Sequence, residues 1–516
     1  MGIFSKKKGS GAKEPEGQSE ISAAKGKDEG AQIWSGGDSG AGDGGGDGGW
    51  GGGSGDGGGW GDGGGDASGW GDGGGDAGGW GDGGGWGDGG GGWAQPAGPT
   101  GEAKVAYDER TQRVDDALAL KEPDRVPCMP FYSTFPYIWA GYTIAEVMYD
   151  AEKAQDAIRR YVQHFEPDMT CGYSSIYAGQ GPLLDKLDPT WLEWAGRASG
   201  RIDKNSVCQY IEFPFLEDED YPDFNGDMGG WLMRKYLPKA FKSLKGLEGL
   251  DFRGSFGFGA PSFTMQFLNP AVMEAFKALT EAGGMAAKYY ADAGAFNAEL
   301  EALGFPLQIK ATTTTAFDSF SDYLRGTPLS LEDILARPGD LKKAVEQHFP
   351  GSLFGAVAQA QYSNGKFIFI PMHKGMDGFM SDSQYREFYW DTLKRLIMSL
   401  IQFGYTPWLY TEGKYNSRLE CLTDIPDGKV WIHFENVDMK EAKRIVGPHA
   451  CISGGIRADL LMRGTVDQVK DEVKRNLDIC APGGGYIFDF GESMENCKPE
   501  NVEAAFETVK LHGKYR

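Results

Sequence analysis

Cysteine is scarce in this chain: seven among 516 residues, widely scattered and with no CxxC pair. An odd, dispersed set argues against a disulfide framework and suits a reducing compartment, so the expected location is cytoplasmic. Basic residues are in deficit, 51 Lys+Arg against 74 Asp+Glu, for a formal net charge of -23. That argues against a nucleic-acid surface, which needs clustered cations to displace counterions, and against a polybasic membrane patch. No run of about 18 apolar residues is available to span a bilayer, and the opening MGIFSKKKGS has no apolar stretch of a secretory signal. Its Met-Gly start does not fit myristoylation, because Lys6 stands where the motif asks for Ser or Thr. No GxGxxG follows a strand-like run, and GxxxxGK followed by Ser or Thr does not occur, so neither phosphate-cradling signature is present.

Glycine, by contrast, is abundant and unevenly placed. More than half of the 81 Gly and half of the 14 Trp lie in the first 100 residues. From about Ser35 the chain repeats units like GWGDGGGD, with Trp50, Trp60, Trp70 and Trp80 ten residues apart, then Trp86 and Trp93. Glycine loses the most backbone freedom on ordering and offers no side chain to bury, so residues 1–101 are expected to be a disordered tail. Two readings of the tail stand side by side: a tether with Trp stickers and Asp spacers for an unknown partner, or a slippage-expanded tract with no specific ligand.

Residues 102–516 have ordinary globular composition and alternate strand-like with helical runs. Short apolar β-type runs at 367–371, 406–410, 429–434, 450–453 and 486–490 are separated by amphipathic segments such as DSQYREFYWDTLKRLIMSLIQFG and TVDQVKDEVKRNLDICAPGG. Each of these segments ends at or near Gly, as helix C-caps do. KEPDRVPCMPFYS and residues 168–173 read as earlier strands, 144–165 and 271–303 as helices, and 174–260 carries little pattern. Strand-helix alternation predicts a parallel sheet, and eight such units fit a closed TIM-type (β/α)8 barrel better than an open sheet.

Barrel enzymes carry their chemistry at the C-terminal ends of the strands. The residues there are His373 after FIFIPM, Glu412 after TPWLYT, His433 and Glu435 in KVWIHFEN, Gly454 and Gly455 after ACIS, and Asp489 and Glu492 in GGYIFDFGES. His433 and Glu435 are two apart on a strand and so share a face; with an acid from a neighbouring strand they would make a three-ligand set of the catalytic zinc type. His433 reads equally as a hydrogen-bonding core residue. His373 suits substrate binding or proton transfer as well as metal ligation. Gly454 and Gly455, just before Arg457, read either as an anion-approaching backbone or as a tight strand-helix turn.

The pieces EPDRVPCMPF, SFSDYLRGTPLSLEDILARP, HKGMDGFMSDSQYREFYWDTLKRLI, CISGGIRADLLMRGTVDQVKDEVKRNLDICAPGGGYIFDFGES and KPENVEAAFETVKLHG resemble the uroporphyrinogen decarboxylase superfamily, over nearly all of residues 104–516. The resemblance implies a TIM-type barrel with its site at the C-terminal mouth. True decarboxylases of that superfamily carry a PVWxMRQAGR-like segment after the first strand; here MPFYSTFPYIWAGYT lacks the Arg pair that would hold a tetrapyrrole with eight carboxylates. The cobamide-dependent methyltransferase branch carries H-x-C on one strand and a third Cys after the GGG-strand segment. His433, Glu435 and Glu492 fall at or near those places, with carboxylates for thiolates, and harder oxygen ligands loosen metal choice.

The resemblance therefore implies a methyltransferase that moves a methyl group between a small methylated donor, a corrinoid carrier protein and a thiol or folate acceptor. In it His433, Glu435 and Glu492 would hold zinc, His373 and Glu412 would orient substrate or move protons, and Arg418 would pair with a substrate anion. Gly454, Gly455, Arg457 and Asp489 would line the substrate site. Two alternatives follow: a metal-free decarboxylase in which Arg418 and Arg457 hold carboxylates, and a non-catalytic docking module tethered by the tail.

Overall fold

The computed structural model describes residues 98–173 and 177–515. The expected tail thus lies outside the described residues apart from its last four positions. Among the described residues no helix is long and apolar enough to cross a membrane. All seven cysteines are free, as their spacing predicts.

A short antiparallel pair, β1 (Leu192–Glu193) and β2 (Gln209–Tyr210), precedes a six-stranded sheet. The sheet runs in sequence order through β3 (Ala311–Thr312), β4 (Phe367–Met372), β5 (Thr406–Lys414), β6 (Trp431–Asn436), β7 (Cys451–Gly454) and β8 (Tyr486–Ile487), with every neighbouring pair parallel. The five C-terminal runs predicted as strands are all present, and helices fill the connections between them except from β5 to β6, which holds only the short turns Asn416–Arg418 and Cys421–Thr423. Their ends carry the expected chemistry. Thr465 accepts the N–H of Gln468 while the Gln468 side chain takes that of Thr465, starting the helix Val466–Cys480. The helix Ala151–Phe165 buries Ala154, Ala157, Ile158, Tyr161, Val162 and Phe165 on one stripe and ends at Glu166 in the left-handed region.

Two predicted strands differ. Residues 121–133 and 168–173 form single bridges rather than ladders: Cys128 with Phe488, Tyr132 with Met494, and Thr170 with Leu307, all parallel. Pro127, Pro130 and Pro306 have no N–H to give, so a continuous ladder is unavailable to them. The remaining amides do bond: Phe488 N–H to the Pro127 carbonyl (2.8 Å), Met129 N–H to that of Phe488 (3.0 Å) and Asp168 N–H to that of Cys128 (2.8 Å). Of the stretch that carries little pattern, the described residues 177–260 hold short helical segments and the β1–β2 pair.

Asp168 ties this seam together. Its fully buried carboxylate lies 2.6 Å from both Arg113 and Arg125 and accepts the Cys128 N–H at 2.7 Å.

Register then sorts side chains into layers, because successive residues alternate between faces. Phe369, Trp408, Trp431 and Cys451 share one level, and Pro371, Tyr410, His433 and Ser453 the next. Trp408 stacks on Trp431 and Tyr410 on His433, each pair with centroids 4.0 Å apart and planes 2° from parallel. Just beyond, at the same end of the sheet, come His373 past the end of β4, Glu412 where the β5–β6 register shifts, and Glu435.

Removing the charge at Asp168 leaves two guanidinium groups without their shared anion. Asp168→Asn is expected to cost about 3–5 kcal/mol of stability in urea unfolding, as breaking a buried pair does; a loss under about 1 kcal/mol would refute the assignment.

Candidate active site

His373 leaves β4 on a fixed backbone. Its N–H and that of Lys374 donate to the two oxygens of Asp318, at 3.0 and 2.9 Å, and the Tyr389 hydroxyl donates to the same carboxylate at 2.6 Å. Asp318 sits on the helical turn Ala316–Phe320, whose first donor is capped by the Thr315 hydroxyl. It is wholly buried, and that burial pushes its carboxyl upward, with the nearby Asp322 adding to the rise and His373 opposing it.

One helical turn on, Asp322 reaches the imidazole. Its Oδ2 lies 2.5 Å from His373 Nδ1, and its Oδ1 2.9 Å from the Lys374 ammonium. Burial works against its charge, but His373 and Lys374 hold its carboxyl below the usual range. His373 moves the other way: burial lowers it, while Glu412, with Oε1 3.6 Å from Nε2, and Asp322 raise it on balance. The imidazole thus bridges the carboxylates of Asp322 and Glu412, which favour its charged form.

Glu435 lies across from Glu412. Its Oε2 accepts the Gly413 N–H at 2.7 Å, yet burial, with Glu412 and Glu492 as like-charged neighbours, pushes its carboxyl up to about 7. Glu492 is raised as well, chiefly by burial, and accepts the Ala458 N–H at 2.7 Å. The mouth therefore holds a histidine biased toward its charged form and carboxyls biased toward their neutral form, the combination from which proton transfer is built.

His433 follows the second of its two readings, the hydrogen-bonding core residue. It is fully buried, donates from Nε2 to the Gly491 carbonyl at 2.9 Å, and has Nδ1 3.2 Å from the Ser453 hydroxyl and 3.1 Å from Asp489. Both ring nitrogens are occupied, and among the described residues no three His, Cys, Asp or Glu side chains are grouped to hold a metal ion. The set His433, Glu435 and Glu492 does not fit zinc as placed; His433 is a hydrogen-bonded core residue beneath the mouth, and Asp489 accepts the N–H groups of Phe131 and Phe490 at 2.8 Å.

The predicted anion-binding residues are engaged too. Arg418 is buried, donating to the Met380 carbonyl at 2.6 Å and pairing with Asp382, with its guanidinium 4.5 Å above the Tyr385 ring. It braces the loop after His373. Arg457 points outward and pairs with Asp459. Gly454 and Gly455 both have φ near +90°, at 90° and 86°, and an added Cβ would strike the Phe434 carbonyl and Met439 respectively. Gly455 N–H is already bonded to Phe434 O at 2.9 Å, so the pair makes a tight turn.

Asp318, Asp322 and Lys374 are the site residues that sequence reasoning passed over. The two aspartates are four apart on one helix face, a readable spacing.

The family model for uroporphyrinogen decarboxylase (URO-D) matches residues 265–512, which include all six parallel strands and every residue of the mouth. Over those residues, a little under half of the chain, the sequence is similar to the uroporphyrinogen decarboxylase family. Among solved structures it is similar to a methyltransferase from Methanosarcina mazei, at 15% identity and a TM-score of 0.49, over 78% of this chain and 98% of that one. No curated protein matches it.

Two outcomes test this electrostatic picture. Asp322→Asn removes a charge that raises His373, so the imidazole should titrate at least about one unit lower by NMR; an unchanged titration would refute the pairing. Glu435 ionises near 4.5 when unfolded and near 7 when folded, so stability falls as pH rises through that window and stays lower above it. Glu435→Gln should remove this slope and be the more stable protein at pH 8, by about 1–2 kcal/mol after allowing for its solvent contact.

Proposed function

We propose that this chain is a methyltransferase moving a methyl group between a small methylated donor and a corrinoid carrier protein, or onward to a thiol or folate acceptor. The observation that carries the reading is the Asp322–His373–Glu412 relay at the ends of β4 and β5. A donor oxygen or nitrogen that loses its methyl group becomes basic and needs a proton. His373, kept charged by two carboxylates, holds one at Nε2 on the mouth side, and Asp322 fixes the ring through Nδ1. Glu435, poised near 7, exchanges protons with it at neutral pH. The corrinoid, brought by its carrier protein, supplies the centre that takes up the methyl group. No zinc step enters, since the residues expected to ligate it do not gather around a common point.

The charge of the mouth favours methyl transfer over decarboxylation of a polycarboxylate. A polycarboxylate needs cations to hold it, and those nearby are engaged: His373 and Lys374 face Asp322 and Glu412, Arg418 pairs with Asp382 and Arg457 with Asp459. A neutral or cationic methyl donor has no such need.

The reading also takes the parallel strands to close into a (β/α)8 barrel. Support comes from the single bridges, which continue the sheet order from β8 through Cys128 and Asp168 to Thr170 and Leu307, the segment that leads into β3. The layered inner side chains agree with that arrangement.

The test is a cob(I)alamin methylation assay on the full chain with methylamines and methyl ethers. Methylcobalamin should form, and His373→Gln and Asp322→Asn should each slow it by about 100-fold or more. Conversion of uroporphyrinogen to coproporphyrinogen by the same preparation would overturn the proposal in favour of decarboxylation, and the absence of both turnovers would favour a docking module.

A further inference from the structure

The helix Thr327–Ala336 begins without a cap of its own. Its N-cap is Gly326, at φ 80°, which has no side chain to offer the first free N–H groups. Glu212 takes that place from 115 residues away, its carboxylate accepting the Thr327 N–H at 3.3 Å and the Thr327 hydroxyl. The segment that carries it is seated on the turns before Gly326: Leu216 N–H donates to the Leu324 carbonyl at 2.8 Å, and the buried Arg325 donates to the Leu216 carbonyl at 2.9 Å. A helix N-terminus favours a carboxylate, so capping alone would explain Glu212 as a piece of structure.

The same carboxylate has a second partner. Glu212 Oε1 lies 3.4 Å from the ammonium of Lys374, which is buried, 2.9 Å from Asp322 and 5.8 Å from the centre of the Phe379 ring. Asp322 in turn reaches His373 Nδ1 with its other oxygen, and His373 Nε2 faces Glu412. Charges thus alternate along one series of contacts from the helix cap to the mouth: Glu212, Lys374, Asp322, His373, Glu412. Asp322 alone serves two cations, and each cation has one further carboxylate on its far side, Glu412 for the imidazole and Glu212 for the ammonium. Asp318, Tyr389 and Tyr323 are the other titratable groups here, with Asp318 holding the two backbone N–H groups.

We propose that Glu212 is a positioning residue of the proton relay: by drawing on Lys374, it sets how much of the Asp322 carboxylate is left to the His373 imidazole. The inference rests on the reading of His373 as the group that holds the proton of the mouth. An ammonium shared between two carboxylates attracts each less, so Glu212 leaves Asp322 a stronger partner for the ring. Glu212 precedes residues 265–512, so this control comes from a part of the chain that the family model does not reach.

The experiment is an NMR titration of the His373 ring in the full chain, with methyl transfer to cob(I)alamin followed across pH in parallel. Lys374→Met leaves Asp322 to His373 alone, and the imidazole should titrate about one unit higher. Glu212→Gln keeps an oxygen for the Thr327 N–H but removes the charge, and should move the ring at least about 0.3 unit lower. The limb of the pH–rate profile that follows His373 should move with each. Lost packing or a weakened cap does not produce this pair of opposite shifts. Lys374→Gln takes the place of the Met variant should that one fail to fold. Shifts of the same sign overturn the proposal. So does a Glu212→Gln chain that unfolds at lower urea but titrates as the unmutated one does, which makes Glu212 a helix cap and nothing more. If the unmutated chain transfers no methyl group, the functional reading fails, and opposite titration shifts in that case still uphold the coupling.

Discussion

The mouth of this protein depends on one buried carboxylate. Asp318 takes the N–H groups of His373 and Lys374 and the hydroxyl of Tyr389, and so converts a strand end, where backbone donors lose their ladder partners, into a rigid platform. With the backbone held, the side chains of His373 and Lys374 are free to be set by Asp322 from the next helical turn. The two aspartates divide the work: the first fixes where the chain runs, and the second fixes which protonation state the imidazole prefers.

Below that platform the sheet works by repetition. Aromatic rings stacked in register, Trp408 on Trp431 and Tyr410 on His433, fill the levels below, and beyond them the register of β5 and β6 shifts between Thr411 and Lys414, where the Gly413 N–H donates to Glu435. Burial at this end of the sheet raises the cost of charge on Glu435. The packed levels follow the alternating pattern along β5 and β6, and the perturbed acid stands where that pairing is interrupted.

Much of this was legible in the sequence. The five C-terminal strands are short apolar runs bounded by turn residues, and their ends bring His373, Glu412 and Glu435 to the same end of the sheet. For His433 the sequence left two readings open, metal ligand and hydrogen-bonding core residue, and the Gly491 carbonyl and Ser453 hydroxyl, 58 and 20 residues away in sequence, favour the second by occupying the ring. Arg418 misled, since its partners lie on a loop that sequence spacing cannot locate. The early strands were blurred by proline, which keeps the extended shape but removes the amides that would register it.

The seam between residues 125–132 and the end of the chain has a consequence for how the protein is made. Arg125 bridges to Lys514, Val126 donates to the Gly513 carbonyl, and Phe131 donates to Asp489, so the first segment after the leading helix takes its partners from the last thirty residues or so. During synthesis Asp168 follows Cys128 after 40 residues and can hold one side of that segment, but the partners on its other side leave the ribosome hundreds of residues later. Its apolar residues must wait in a partly formed body, and the final helix, Pro499–His512, arrives as the piece that lets the two ends of the chain meet.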